Sequence, residues 1–165
     1  MTAGLSSVVA VDEVKIYTKA LTKDDLARDC GCEILPPPPQ AISHFGLEAY
    51  FSFDTRSAED QTGHRYNGRW EGNENYAEGK PGKMMAASFD GSSRIVVDSF
   101  TNMAFGSQFS VSLFFERTGG QQNYQGIVNN GYYKSGSFEI RMGREMGGEM
   151  LGGGVSRALG SPYGY

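Results

Sequence analysis

The stretch that most constrains the fold is residues 80–98, KPGKMMAASFDGSSRIVVD. Asp90 and Gly91 lie between two short apolar segments, and this pair supplies the positive φ angles that a tight primed turn requires. Apolar residues in each segment stand two positions apart, which is the period of a strand with one buried face. They are Ala87 and Phe89 before the pair, and Ile95 and Val97 after it. The stretch therefore predicts a β-hairpin.

The composition favours a protein of many short strands. The 165 residues include 23 glycines, 10 phenylalanines and 9 tyrosines, which suits strands joined by glycine-containing turns. A formal net charge of −4 and the lack of a long basic run disfavour nucleic acid and anionic lipid as partners. No apolar run approaches membrane-spanning length, and the N-terminal segment, broken by Asp12, does not resemble a signal peptide.

The two cysteines, Cys30 and Cys32, form the tripeptide CGC. A disulfide between residues two apart is strained, and two scattered histidines hardly complete a zinc site. Each cysteine therefore stays free or has a disulfide partner outside this chain. The second alternative favours an extracellular protein.

The N-terminal region predicts a strand followed by a short helix. Residues 7–17 alternate as a strand whose register changes near Asp12. The apolar residues on either side of the change are Val9 and Val11, then Val14 and Ile16. Thr22 and Asp25 predict a capping box at the start of a helix that ends near Asp29.

Four consecutive prolines at 36–39 predict an extended linker and the best domain boundary in the chain. Strand patterns follow at the spacing of a β-sandwich. They lie at residues 47–54, around Trp70, in the hairpin stretch 80–98, and at 109–115, 126–128 and 137–142. After Gly143 the pattern weakens, so a sandwich ending here would leave strands unpaired and its core partly open.

Several motifs occur in a characteristic order. They are LxAYFSFD at 47–54, DxxG at 60–63 with Asn67-Gly68, GKPGK at 79–83, ASFDG at 87–91 and FSVSLFF at 109–115. Together they resemble the first half of a laminin G-like domain of the concanavalin A-like lectin/glucanase superfamily, over about residues 45–155. The resemblance implies an all-β antiparallel jelly-roll sandwich, incomplete because the family's second half is not found after Val155.

The N-terminal segment resembles the other end of such a domain. VDEVKIY at 11–17 and ALTKDDL at 20–26 look like its closing strand and terminal helix. The resemblance implies a fragment of a tandem-repeat protein. Residues 1–30 would then end one repeat, 31–44 form a Pro-rich linker, and 45–165 begin the next repeat. An open alternative is that residues 8–17 fold back into the slot of the missing closing strand.

The resemblance also implies a candidate calcium site, because the family often carries this ion at such loops. The candidate ligands are Asp54, Asp60, Asn67 and Asp90, which supply the oxygen atoms that calcium prefers. The alternative is that Asp60 forms an Asx-turn and Asp90 simply makes its turn.

Catalysis is not expected. A glycoside hydrolase needs two carboxylates placed together, whereas the predicted strands carry one acid each, Glu48, Glu116 and Glu139. Asp12 and Glu13 are adjacent, so strand alternation predicts opposite directions for their side chains.

Sugar binding would use aromatic side chains at loops, where polar neighbours hydrogen-bond the hydroxyls. The candidates are Trp70, Tyr76, Tyr124, Tyr132 and Tyr133, and the alternative is that each covers an end of the core. We therefore expect a non-catalytic module, extracellular or at the cell surface, that binds glycans or matrix and cell-surface proteins. The alternatives are a structural spacer repeat and an accessory domain of a carbohydrate-active enzyme.

Overall fold

A computed structural model describes residues 8–30, 46–79, 85–99, 108–118, 125–130, 137–145 and 148–155. These residues form β-strands and one α-helix. In chain order they are β1 (Val8–Tyr17), α1 (Lys23–Cys30), β2 (Leu47–Phe51), β3 (Arg69–Glu71), β4 (Tyr76–Glu78), β5 (Met85–Phe89), β6 (Arg94–Val96), β7 (Ser110–Thr118), β8 (Gln125–Asn129), β9 (Phe138–Glu145) and β10 (Gly148–Val155).

The strands form antiparallel sheets, and β1 is the central strand of the largest one. Along one side β1 pairs with β7, and along the other it pairs with β2 and with β5, which in turn pairs with β4. A second sheet has the order β10-β9-β8, and β3 pairs with β6. The expectation of an all-β antiparallel protein with a short N-terminal helix is therefore confirmed.

The position of β1 resolves the alternative that the sequence left open. Residues 8–17 do fold back into a sheet built from later strands, because Val14 pairs with Phe51 and Val9 pairs with Phe89. The origin of this segment in a preceding repeat stays a prediction.

The predicted change of register in β1 is confirmed as a β-bulge. Asp12 pairs with Phe114 and Lys15 pairs with Ser112, so β1 has one more residue than β7 over this step. Glu13 has a φ angle of 54°, which interrupts the alternation of side chains. The bulge therefore lets apolar residues on both sides of it reach the same core, namely Val9, Val11, Val14 and Ile16.

The core joins the sheets. Phe51 and Ala87 from the largest sheet are buried in one cluster with Met142 of β9, and Trp70 and Ile95 of the β3–β6 pair pack against it. Full burial of a side chain such as that of Phe51 or Met142 stabilises the fold by about 1.5–3 kcal/mol. Antiparallel sheets packed on a shared apolar cluster are the arrangement of an all-β sandwich.

The helix α1 begins with the predicted capping box. Asp25 N donates a hydrogen bond to Thr22 Oγ1 at 3.1 Å, and Thr22 N donates to Asp25 Oδ2 at 3.0 Å. The helix ends at Cys30, one residue beyond the predicted end. Asp29 in its last turn accepts hydrogen bonds from Lys15 and Ser112, so α1 lies against the β1–β7 part of the sheet.

The hairpin prediction for residues 80–98 is wrong. β5 pairs with β1 and β4, whereas β6 pairs with β3, so the Asp90-Gly91 turn joins strands of two different sheets. Gly91 has a φ angle of 86°, but Asp90 is outside the left-handed region that a type I′ turn would require. The physical reason is that alternating polarity identifies a buried face and leaves open which neighbour supplies the hydrogen bonds.

Candidate functional site

Asp60, a predicted calcium ligand, organises the loop between β2 and β3. Its Oδ1 accepts hydrogen bonds from Tyr50 N at 3.1 Å and Thr62 N at 3.0 Å. Its Oδ2 accepts from Thr62 Oγ1 at 2.7 Å and from Tyr66 N at 3.3 Å. Asp60 N in turn donates to Asn67 Oδ1 at 3.1 Å. Both carboxylate oxygens therefore already have donors from the protein itself, as in an Asx-turn.

The electrostatics of Asp60 follow from these contacts. Burial raises the pKa of Asp60, but the hydrogen bonds from Thr62, Tyr50 and Tyr66 lower it by more, so the pKa lies below the usual value. Asp60 is consequently an anion at neutral pH and a fixed acceptor for loop N–H groups. This local ring of donors explains why a nearly buried carboxylate is tolerated.

Asp90 is held in a similar local way. Its Oδ1 accepts hydrogen bonds from Ser92 N at 2.9 Å, Ser92 Oγ at 2.7 Å and Ser93 Oγ at 3.2 Å. These bonds, first the one from the Ser92 hydroxyl, lower the pKa of Asp90. The sequence alternative, a side chain that makes the turn, therefore describes its contacts.

The four predicted calcium ligands are only partly brought together. Asp60 and Asn67 are in contact, Asp54 is half-buried just after β2, and Asp90 lies in the turn between β5 and β6. Within the part of the chain that the structure describes, no group of three or more His, Cys, Asp or Glu side chains could hold a metal ion. Calcium binding stays a prediction.

Two predicted ligand-binding aromatics, Trp70 and Tyr76, are in direct contact. Trp70 Nε1 donates to Tyr76 OH at 3.1 Å, and the two rings meet edge to face with centroids 5.7 Å apart. Tyr76 OH donates onward to Glu74 Oε1 at 2.8 Å. Burial raises the pKa of Tyr76, the bond from Trp70 lowers it and the bond to Glu74 raises it, with a net increase. We call these three residues the Trp70 relay.

The Trp70 relay is half-buried rather than fully exposed. The Trp70 ring also lies 5.2 Å from the Phe89 ring, and both Trp70 and Tyr76 pack against the core. The relay therefore covers one part of the core and presents its Glu74 end, which is exposed, to solvent. The remaining candidates Tyr124, Tyr132 and Tyr133 lie outside the described residues.

A charged network that the sequence interpretation missed lies on the outer face of the β3–β6 pair. Arg69 Nη1 contacts Glu71 Oε1 at 2.6 Å, Arg69 Nε contacts Asp98 Oδ2 at 2.7 Å, and Arg94 Nη2 contacts Glu71 Oε2 at 2.5 Å. The signal was present in RWE and RIV, where the core-facing Trp70 lies between Arg69 and Glu71 and the core-facing Ile95 follows Arg94. Trp70 thus lies between the core and this exposed surface.

A second polar cluster lies between α1 and the sheet. Lys15 Nζ is 2.5 Å from Asp29 Oδ1 and 3.6 Å from Glu13 Oε2, and all three side chains are largely buried. Tyr50 OH donates to Glu13 Oε1 at 2.9 Å, and Ser112 Oγ donates to Asp29. We call these five residues the β1–α1 cluster.

Two tyrosines at the β1–α1 cluster, Tyr50 in it and Tyr17 beside it, have raised pKa values. Burial raises the pKa of Tyr50, and the hydrogen bond to Glu13 raises it further. Burial, followed by the charge of Asp29, raises the pKa of the neighbouring Tyr17 to about 12. Both phenols therefore act as hydrogen-bond donors to carboxylates, which is a structural role.

The expectation that Asp12 and Glu13 point in opposite directions stays a prediction. Both residues are only 3% exposed, and Glu13 N donates to Asp12 Oδ1 at 2.8 Å. The bulge breaks the simple alternation on which that expectation depended.

Comparison with known proteins gives no further assignment, since no protein-family model, curated protein or solved structure matches this chain. The resemblance to laminin G-like domains therefore stays a prediction from sequence motifs. In the described ranges, the structure contains no helix that is both long enough and apolar enough to cross a membrane.

Proposed function

We propose that this protein is a non-catalytic binding or adhesion module, extracellular or at the cell surface, that recognises glycans or matrix proteins. The motif resemblance to laminin G-like domains supports the proposal, as does an all-β framework that bears loops on rigid strands. The observation that carries it is the Trp70 relay. It fixes an aromatic pair and a carboxylate at the surface in a defined orientation.

The relay has the chemistry that sugar recognition uses. An aromatic ring offers an apolar face to the C–H side of a sugar, and a carboxylate accepts hydrogen bonds from its hydroxyl groups. Tyr76 OH is held between the Trp70 indole N–H and Glu74 Oε1, so the ring and the carboxylate are ordered before a ligand binds. Such ordering lowers the entropic cost of binding.

The chain offers a matched control for the test. Tyr66 is also half-buried, and its OH donates to Glu48 Oε1 at 2.9 Å, which copies the Tyr76–Glu74 pair at a different surface. The full chain is applied to a glycan array and to immobilised matrix proteins. Ligands found for the wild type are then measured with Tyr76→Ala and Glu74→Gln, and with the controls Tyr66→Ala and Glu48→Gln.

We expect Tyr76→Ala and Glu74→Gln to weaken binding at least about tenfold, because each removes a stacking or hydrogen-bonding partner. The controls should bind as the wild type does. Equal losses at both pairs would overturn the relay as the ligand site. Lack of binding to any glycan or matrix protein would favour the spacer alternative.

Calcium is tested in the same preparation. A melting temperature that rises with millimolar calcium and falls back with a chelator would support the candidate ligands Asp54, Asp60, Asn67 and Asp90. An unchanged melting temperature would contradict a calcium site and leave the relay proposal standing, because Glu74 and Tyr76 are outside that ligand set.

A further inference from the structure

Segment 8–30 obtains all its described strand partners from the later part of the chain. β1 is hydrogen-bonded on one side to β7 and on the other to β2 and β5, which lie between residues 47 and 118. Val9, for example, has Phe89 on one side and Arg117 on the other. We call the sheet position between these neighbours the β1 slot.

The helix α1 forms a unit with the strand that fills the slot. Lys15 Nζ and Tyr17 OH, both on β1, contact Asp29 Oδ1 at 2.5 and 3.5 Å. The capping box between Thr22 and Asp25 is also internal to the segment. Segment 8–30 thus carries its own strand-to-helix contacts, and it binds the rest of the molecule as one piece.

The covalent connection does not decide which molecule supplies the segment. Thr18 N donates to Gly46 O at 2.8 Å, so after α1 the chain comes back to the end of β1. A helix of 8 residues is about 12 Å long. The intervening residues 31–45 could reach up to about 50 Å if fully extended, which leaves ample length for closure within one chain or between two.

We propose that the β1 slot accepts segment 8–30 from a second copy of this chain, so that two copies exchange their N-terminal segments in a symmetric dimer. The tether keeps the slot filled from within at low concentration, since a short flexible link gives an effective concentration of about 1 mM. Exchange therefore requires opening of the sheet and millimolar protein. This inference is independent of the proposed glycan-binding function.

The contacts that hold β1 in the slot depend on the sequence of segment 8–30. A second copy has the same segment and can make the same contacts. The bulge fixes the register by placing Asp12 opposite Phe114 and Lys15 opposite Ser112. Tyr50 of β2 then donates to Glu13 Oε1 at 2.9 Å, and Ser112 of β7 donates to Asp29. A strand without the bulge and without these acids would leave buried donors unpaired, which costs about 1–3 kcal/mol for each group.

Cysteine cross-linking across the slot tests the exchange. Ala10 and Glu116 are directly paired on β1 and β7, within the Cα distance that a disulfide accepts. In full chains with Cys30→Ser and Cys32→Ser, one copy carries Ala10→Cys and a differently tagged copy carries Glu116→Cys. The two are unfolded together, refolded at millimolar concentration and oxidised. The mispaired control carries Glu59→Cys in an exposed loop instead of Glu116→Cys.

We expect at least about tenfold more cross-linked heterodimer with the Ala10–Glu116 pair than with the control, because an exchanged β1 places Ala10 of one copy beside Glu116 of the other, whereas Glu59 is not a strand partner of β1. A single chain with both cysteines should form an internal disulfide at low concentration. That result verifies the geometry of the pair. Cross-linking at the control level after refolding would overturn the proposal.

Shortening the connection gives an independent test. Deletion of residues 32–45 leaves Gly31 alone to join Cys30 to Gly46, a link of about 7 Å that restricts closure within one chain. We expect the apparent mass in light scattering to double, with the β-sheet signal in circular dichroism retained. A folded monomer, or a chain that no longer folds at any concentration, would count against exchange.

Discussion

The β1–α1 cluster and the Asp60 loop both bury carboxylates. The hydrogen-bond partners of these carboxylates are near in sequence in the loop and far away in sequence in the cluster. Asp60 is held by Tyr50, Thr62, Tyr66 and Asn67, all within ten positions of it. In the β1–α1 cluster, Asp29 is held by Ser112, and Glu13 is held by Tyr50, at separations of 83 and 37 residues. The first kind of site depends on a local turn, whereas the second depends on the whole sheet.

Removal of residues 1–30 is the most severe test of this difference. We expect the remaining chain to aggregate and to lose cooperative thermal unfolding, because the sheet edges beside β1 become unpaired. Light scattering and calorimetry measure both effects. A monodisperse monomer with a sharp melting transition would contradict the central role of β1.

Lys15→Met is expected to have the next largest effect. It removes the Lys15 ammonium group from the buried carboxylates of Glu13 and Asp29, and breaking a buried ion pair costs about 3–5 kcal/mol. The free energy of unfolding in urea measures the loss. Lys19→Met is the matched control, because Lys19 is more exposed and 3.8 Å from Asp25, so its removal should cost at most about 1 kcal/mol. Similar losses for the two variants would refute the buried character of the cluster.

Asp60→Asn should destabilise the protein by about 1–3 kcal/mol, since hydrogen bonds to an anion are replaced by weaker ones. It should also change the pH dependence. The pKa of Asp60 is lowered in the folded state, so its contribution to stability is complete above the unfolded pKa of about 4 and is lost as the pH falls through the lower folded value.

Urea unfolding at pH 7 and at several pH values between 5 and 2 checks both parts of the Asp60 prediction. Asp90→Asn is the control at an exposed turn and should lose less stability at neutral pH. If the stability of Asp60→Asn fell with pH as that of the wild type does, Asp60 would not be the source of the pH dependence.

Thr22→Ala should have the smallest effect, about 1 kcal/mol, because it removes one helix cap. Chemical denaturation measures it, and Thr22→Ser should restore most of the loss by supplying the hydroxyl again. If Thr22→Ser were as unstable as Thr22→Ala, the capping hydrogen bond would not be the cause.

Local physical rules predicted the features that involve residues close together in the sequence. The capping box needed only Thr22 and Asp25, and the bulge was visible because the parity of the valines changes near Asp12. The turn roles of Asp60 and Asp90, raised as alternatives to calcium binding, describe the contacts observed.

The pairing of strands that are far apart in the sequence could not be predicted, for a physical reason. Every strand with one apolar face satisfies the same alternation, so Ala87 and Ile95 indicated burial without revealing that their strands pair with different partners. Residue type and position in or beside loops indicate Trp70 and Tyr76 as candidates but not their contact with each other. Their mutual hydrogen bond depends on β3 and β4 meeting in space.

The bulge in β1 also has a consequence during synthesis. β1 leaves the ribosome before its partners, and Thr118, which pairs with Val8, follows 110 residues later. At about 5–20 residues per second the strand waits roughly 5–20 s for that partner. Asp12, Glu13 and Lys15 place three charges in the middle of an otherwise apolar strand during this interval. We expect these charges to limit aggregation of the nascent chain until the sheet buries them.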